Sequence, residues 1–369
     1  MDSFSIFIIV LPGLEDLSLE EINLKLPLEK LNVIKGGIEA DVNLEWIEKA
    51  HLRLKIPTRI LLRVANFKVR DFPKLYHKFA NFNWKPFLSH PEPQWEITCS
   101  KSRLNHTGRI EETIKKAMSE VLIKQPLKKD WEKKNYAPQT FYVRIVDDTL
   151  FLSLDLSGEP LYKRGLQKIK GVAPLRENLA SAFLLDLTKG LDQSYPLVDP
   201  MCGSGTFLTE AKTFFNSLHL RPFAFETAPF YKGKMLKERE PDTQSLPISK
   251  FYGFDKNLEL ITKVNQEIDL GSELKELDSL KEKLPVDEKS LLICNPPYGE
   301  RIEIEGKRGH FLKIARDKFL EVDQPFRMGW LVPTDMDDIF QSPKGYKTLT
   351  KRRIRNGGLP VTFWVWEKS

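Results

Sequence analysis

The chain has 369 residues, enough for two or three domains, and its 41% hydrophobic and 29% charged residues describe a globular protein with a sizeable core rather than a disordered or fibrous one. A formal charge of +6 permits a nucleic-acid partner without requiring one. Three well-separated cysteines (Cys99, Cys202, Cys294) and six scattered histidines give no zinc spacing and no disulfide frame, so the expectation is a cytoplasmic chain with reduced thiols and no metal.

Taken in order, residues 4–11 form a buried apolar strand stopped by Pro12-Gly13, too short for a signal or a membrane span. The spacing predicts a helix over 14–24, a turn and strand over 36–40, a helix over 44–55 and a strand over 59–67. That alternation reads as a small α+β unit over residues 1–65. A second unit is expected over 66–160. It holds a helix over 72–82, a proline-rich loop over 86–93 and a strand over 95–99. A helix over 110–123 follows, with Ile110, Ile114, Ala117 and Val121 inward, then a lysine-rich connector over 124–134. Strands over 141–147 and 149–157 turn about Asp147-Asp148. Between the 95–99 strand and its helix, Lys101, Arg103 and His106 could grip RNA phosphates; a solvated basic loop is the plainer alternative.

Residues 161–369 read as a third unit. A helix over 173–187 starts at Pro174. Leu197-Val198 then ends a strand at Asp199-Pro200, and Met201-Cys202-Gly203-Ser204-Gly205-Thr206 turns into a helix striped by Phe207, Leu208, Ala211 and Phe214. Strand, glycine turn and helix make the nucleotide-cradling unit of an open parallel sheet, with free N–H groups at a helix N-terminus. Leu208 stands where a dinucleotide fingerprint needs its third glycine, and no Gly-Lys-Ser/Thr follows. Asp199 would repel a phosphate but suits an ammonium, while the glycine turn suits a carboxylate. S-adenosylmethionine carries both, so Asp199, Pro200, Cys202, Gly203, Ser204, Gly205 and Thr206 are cofactor candidates.

The next strand, 251–254, ends in Asp255, a candidate for the cofactor's ribose hydroxyls. That acid normally lies about 20 residues past the glycines. The longer gap here makes residues 216–250 an insertion that either lines the substrate cleft or decorates the surface. After a helix over 258–268, Asp278 either meets the adenine amine or rides a plain amphipathic helix.

The strand Leu291-Leu292-Ile293-Cys294 runs into Asn295-Pro296-Pro297-Tyr298-Gly299. A nucleobase exocyclic amine is a poor nucleophile because its lone pair is delocalised into the ring. The Asn295 side-chain oxygen and the Pro296 carbonyl can accept its two hydrogens and favour a pyramidal nitrogen, and Tyr298 can stack on the base. Asn295 is also a cofactor candidate. A helix over 311–319, a strand over 327–333 and a hairpin at Asn356-Gly357-Gly358 into a strand over 361–366 complete the chain. Residues 351–355 are basic, and either touch RNA phosphates or protect an edge strand.

Several of these stretches resemble one family. Ser100-Lys101-Ser102-Arg103-Leu104-Asn105-His106-Thr107-Gly108 is similar to part of the THUMP domain, although Asn105 stands where an aromatic residue is more usual. Asp155-Leu156-Ser157-Gly158-Glu159-Pro160-Leu161-Tyr162-Lys163-Arg164-Gly165 resembles the end of that domain in the ribosomal large-subunit RNA methyltransferase L family. Residues 173–180, 199–206, 223–226, 295–299 and 356–358 extend the resemblance over nearly the whole chain. It implies an α/β, Rossmann-like S-adenosylmethionine-dependent methyltransferase domain behind an N-terminal α+β ferredoxin-like/THUMP RNA-binding region. It further implies methylation of guanine N2 in RNA, most simply 23S ribosomal RNA, and places Lys163 and Arg164 among the RNA-binding candidates. The residues alone leave open a tRNA substrate, an adenine-N6 methyltransferase using the same Asn-Pro-Pro-Tyr site, and an RNA-binding assembly factor with a relic cofactor site.

Overall fold

The computed structural model describes residues 3–127, 137–164, 175–216, 221–233, 244–267, 273–297, 308–340 and 343–369. Among the described residues the strands make two seven-stranded sheets. The first begins with β1 (Phe4–Ile9), α1 (Glu15–Lys25), β2 (Asn32–Ile34), β3 (Gly37–Val42), α2 (Leu44–Arg53) and β4 (Arg59–Lys68). These strands lie in the order β2-β3-β1-β4 and pair antiparallel throughout, the ferredoxin-like arrangement. α3 (Phe72–Ala80), β5 (Gln94–Ser100), α4 (Thr107–Lys124), β6 (Thr140–Val146) and β7 (Thr149–Asp155) follow.

The sheet does not stop at β4. β7 pairs antiparallel along β4 from Leu61↔Asp155 to Lys68↔Thr149, and β6 and β5 continue beyond it. A division at 65/66 therefore falls inside β4, and the two expected N-terminal units share one sheet. Their hairpin turns at Asp147 (φ 49°) and Asp148 (φ 58°), the pair of left-handed residues a two-residue turn between twisted strands requires. Ile110, Ile114, Ala117 and Val121 face the core from α4 as their spacing predicts.

α5 (Glu177–Thr188), β8 (Tyr195–Asp199), α6 (Thr206–Lys212), β9 (Ile248–Asp255), α7 (Leu258–Glu267), β10 (Glu273–Glu276), β11 (Leu291–Cys294), α8 (Arg308–Lys318), β12 (Arg327–Pro333), β13 (Tyr346–Asn356) and β14 (Leu359–Lys368) build the second half. The predicted start of α5 at Pro174 lies outside the described residues. The second sheet has the order β10-β9-β8-β11-β12-β14-β13. β10, β9, β8, β11 and β12 are parallel and β14 returns antiparallel to β12. Chain order reverses between β8 and β11, the place where open sheets of this kind take their ligands, beyond the strands' carboxyl ends. β12 and β11 are buried along their whole length, as parallel strands covered on both faces should be. α5 covers one face, and its Phe183 stacks on Phe363 of β14 at 4.1 Å.

Three sequence expectations change. Residues 273–276 pair with β9 as a strand, so Asp278 follows a strand and the amphipathic-helix alternative falls: tertiary pairing overrides the helical spacing. The described part of the insertion packs against the N-terminal region. Arg221 donates to the carbonyls of Ser157 (2.9 Å), Glu159 (2.7 Å) and Lys163 (2.7 Å), Tyr231 donates to Glu48 (2.7 Å), and Phe223 meets the His51 ring edge-on at 4.9 Å. Three of the four cations in the basic run on edge strand β13 are bound into ion pairs: Lys351 and Arg353 with Asp337 (3.1 and 2.8 Å), and Arg352 with Asp16 (2.8 Å) and Asp186 (3.2 Å).

Candidate active site

The glycine turn leaves the carboxyl end of β8 and is tied to β9. The Cys202 amide donates to the Phe254 carbonyl at 2.8 Å, and the Gly203 amide to the Asp255 carboxylate at 3.0 Å. Gly203 (φ 51°) and Gly205 (φ 70°) occupy left-handed conformations that disfavour a side chain. A Cβ on Gly203 would meet no atom within 4 Å, so the turn presents an open concave side. Gly205 caps α6, and its amide closes the turn on the Cys202 carbonyl at 2.8 Å. The hydroxyls of Ser204 and Thr206 lie 3.3 Å apart beside it, and Pro200 is buried beneath.

Asp199 is 2% exposed. Burial pushes its carboxyl up to about 8; the Met201 amide, donating at 3.2 Å, opposes this, and the Asp255 charge reinforces it. Among the described residues no cation pairs with it, so the site supplies a carboxyl waiting for a positive charge. Burial likewise holds the thiols of Cys202 and Cys294 well above the usual range, which makes both packing groups rather than nucleophiles.

Asp255 ends β9 and accepts from the Asn257 amide with its second oxygen (3.0 Å), while Asn257 caps α7 through the Leu260 amide at 3.1 Å. The helix cap is thus Asn257 and not Asp255. Asp278 follows β10 on the next strand; it accepts from the Leu280 amide (3.2 Å) and pairs with Lys281 at 3.1 Å.

Asn295 follows directly on β11. Leu197 lies level with Leu291 and Val198 with Leu292 on these adjacent parallel strands. Asn295 is therefore two positions further along than Asp199, roughly 7 Å along a neighbour about 4.8 Å away. Asn295 Oδ1 is buried and has no hydrogen-bond partner among the described residues. Such an orphaned acceptor calls for an explanation, and a ligand's N–H is one. Pro296 is buried and Pro297 half-buried beside it. Tyr298 lies outside the described residues. An open glycine turn, a carboxyl without its cation and an orphaned amide oxygen at the carboxyl ends of two adjacent central strands fit S-adenosylmethionine beside a base amine.

The RNA candidates divide. Lys101 and His106 are exposed, and His106 caps α4 by accepting the Arg109 amide at 3.3 Å. Arg103 is 71% exposed at its side chain while its amide is fixed to Asp148 at 2.8 Å. Two cations that periodicity did not single out stand on the same end of the domain: Arg70, 3.3 Å from Asp148, and Arg109 over the Phe72 ring at 4.6 Å. Lys163 is exposed and paired with Glu159 at 2.7 Å. Arg164 overturns its expected role. Its side chain is 3% exposed and paired with the buried Glu210, so it offers nothing to an RNA phosphate. Among the described residues, no His/Cys/Asp/Glu group could hold a metal and no helix is long and apolar enough to cross a membrane.

Residues 164–338 match the RMKL-like methyltransferase domain. YpsC of Bacillus subtilis, which carries a provisional RNA methyltransferase name, is 30% identical over 87% of this chain and 85% of its own. The chain belongs to the RMKL-like methyltransferase family. A second relative with a provisional RNA methyltransferase name, slr0064 of Synechocystis, is 29% identical over 98% of this chain and 96% of its own. The fold follows SMU.472, a provisionally named methyltransferase solved with SAH, at a TM-score of 0.80 and 24% identity, covering 100% of this chain and 99% of that one. RMKL-like membership also brings matches to ribosomal RNA large subunit methyltransferases K/L, including one from Marinomonas at 30% identity. The match covers 73% of this chain but only 40% of that protein's length.

Proposed function

We propose that this RNA methyltransferase moves a methyl group from S-adenosylmethionine to the exocyclic N2 of a guanine, in large-subunit ribosomal RNA. The observation that carries the reading is the adjacency of the carboxyl ends of β8 and β11 at the point where strand order reverses, which sets Asp199 and the glycine turn beside the orphaned Asn295 oxygen. The names of the K/L relatives support ribosomal RNA as the substrate.

Asp199 would hold the cofactor's ammonium, the open side of the glycine turn its carboxylate and Asp255 its ribose. When bound, the cofactor supplies an electrophilic methyl carbon. Asn295 Oδ1 and the Pro296 carbonyl accept the two amine hydrogens and aim the nitrogen lone pair, and Tyr298 stacks on the base. Asn295 cannot keep the surplus amine proton, since an amide side chain is no base at neutral pH, so that proton would pass to water. The base must be unpaired or flipped out to reach Asn295.

The deciding experiment compares digested RNA from a strain lacking this chain with RNA from its parent by nucleoside mass spectrometry. Loss of N2-methylguanosine from 23S ribosomal RNA is expected. Loss of N6-methyladenosine instead, or of a tRNA methyl group, would replace the assigned base or substrate, and an unchanged profile would remove the assignment.

A further inference from the structure

The helix that opens from the glycine turn is gripped from behind by the N-terminal region. α6 has seven residues, too few to persist by its own hydrogen bonds. Glu210, near its end, is 2% exposed, and its carboxylate is surrounded. Ser181 of α5 donates to one oxygen at 2.6 Å, Arg164 pairs with the other, and Lys55 Nζ stands 3.7 Å away. Lys55 comes from the connection between α2 and β4, and it also donates to the Thr213 hydroxyl, just past α6, at 2.7 Å. Its own backbone is fixed in turn: Glu21 of α1 accepts the Lys55 amide at 2.8 Å and the Ile56 amide at 3.0 Å. Glu21 also pairs with Lys25, whose ammonium lies over the Phe214 ring at 3.8 Å.

Five ionisable groups are thus buried where two domains meet, although an apolar contact would join them at a lower desolvation cost. Directional bonds do what apolar packing does not: they fix one helix register and one rotation. Burial raises the Glu210 carboxyl, but Arg164 and then Lys55 outweigh it and hold it at about 2, so the carboxylate stays charged.

We infer that Glu210 is a positioning residue: held by Arg164, Lys55 and Ser181, it sets the place of α6 and hence of the Gly203–Thr206 turn, coupling the N-terminal region to the cofactor site. The inference rests on the reading of that turn as the S-adenosylmethionine site. Asp255 anchors the turn from the front through the Gly203 amide, and Glu210 anchors it from the rear.

Calorimetry with S-adenosylhomocysteine, paired with thermal unfolding, tests this on the full chain. The set comprises wild type, Glu210→Gln, Lys55→Met and the double variant Lys55→Met/Glu210→Gln, which restores the net charge of the cluster but not the tether. Glu210→Gln should weaken ligand binding at least tenfold and speed amide exchange over residues 203–209, while RNA affinity measured by fluorescence anisotropy stays within twofold. The double variant should regain much of the melting temperature lost by Glu210→Gln yet keep the weakened ligand affinity. Ligand affinity that simply follows melting temperature, or that stays at the wild-type value, overturns the inference. If Glu210→Gln does not fold, Lys55→Met, which leaves the Arg164–Glu210 pair in place, carries the test alone: at least threefold weaker binding is expected, and unchanged binding overturns it. A wild-type chain that does not bind the ligand overturns the cofactor reading itself, a result separable from wild-type binding with unaffected variants.

Discussion

The Gly203 amide donates to the Asp255 carboxylate at 3.0 Å, so the turn after β8 and the acidic end of β9 are fixed to each other before any ligand arrives. Because the second Asp255 oxygen is occupied by the Asn257 amide, the side chain has one orientation, with lone pairs left over for a diol. Asp255→Ala should therefore loosen the turn and remove the ribose acceptor together. Calorimetry with S-adenosylhomocysteine should show a loss of about 2–3 kcal/mol, with Asp255→Asn in between. Equal affinity in all three proteins would rule out the role.

Asp199 makes cofactor binding depend on pH in a defined direction. Its carboxyl is raised by burial to about 8 from an ordinary 3.8, so the free protein binds a proton there at neutral pH. An ammonium ligand needs the carboxylate, so binding should tighten from pH 6 to about 8 and release up to one proton near pH 7, seen as buffer-dependent heats. In the same window the unfolded chain has already lost that proton, so this group's contribution to stability falls as pH rises from 3.8 to about 8. Asp199→Asn should then raise stability at pH 7.5, by roughly 2–4 kcal/mol, while binding of S-adenosylhomocysteine is lost.

Much of this site was legible because its parts are local. Strand, glycine turn and helix fall within a dozen residues, and Asn295 follows a short apolar strand, so both could be placed at strand ends without knowing the fold. What escaped is long-range. Glu210, Lys55 and Glu21 carry no local signal, because nothing in the neighbouring sequence shows which charge answers which. Arg164 stood beside exposed Lys163 in a basic pair, and only the packing of α6 distinguishes them. The continuous N-terminal sheet depends on β4 meeting β7, and the strand at 273–276 on β9; neither pairing leaves a trace in spacing.

Arg164 and Arg103, both candidates for RNA, should separate cleanly. Arg103→Ala removes an exposed cation and should lower RNA affinity and flatten its salt dependence by about one unit of slope, with stability unchanged. Arg164→Ala strips a buried carboxylate of its nearest partner and should cost about 3–5 kcal/mol of stability in urea. Fluorescence anisotropy on Arg164→Ala below its unfolding transition should give near wild-type RNA binding.

His51 predicts an acid weakness at the joint between α2 and the insertion. Burial holds its imidazole down at about 3, neutral between the Ile47 carbonyl (2.8 Å), the Ser157 hydroxyl (3.2 Å) and the rings of Phe223 and Phe225. The unfolded chain takes up a proton below about 6.5 and the folded one does not. The contribution of His51 is therefore complete above pH 6.5 and is lost as pH falls toward 3, about 3 kcal/mol by pH 4. The difference in urea midpoint between wild type and His51→Gln should shrink over that range; a pH-independent difference would contradict the assignment.

Asn295 offers the sharpest separation of stability from chemistry. Its buried Oδ1 lacks a partner among the described residues, a state that costs the fold about 1–3 kcal/mol. Asn295→Ala removes that acceptor, so the melting temperature should hold or rise. Turnover should fall by about two to three orders of magnitude, since the amine loses one of its two acceptors as charge develops. Asn295→Asp keeps an oxygen in place and should retain more turnover than alanine. A structural asparagine would show the opposite pattern, with stability lost and the rate per folded molecule preserved, so a thermal melt and a single-turnover methylation assay on the same preparations decide between the two.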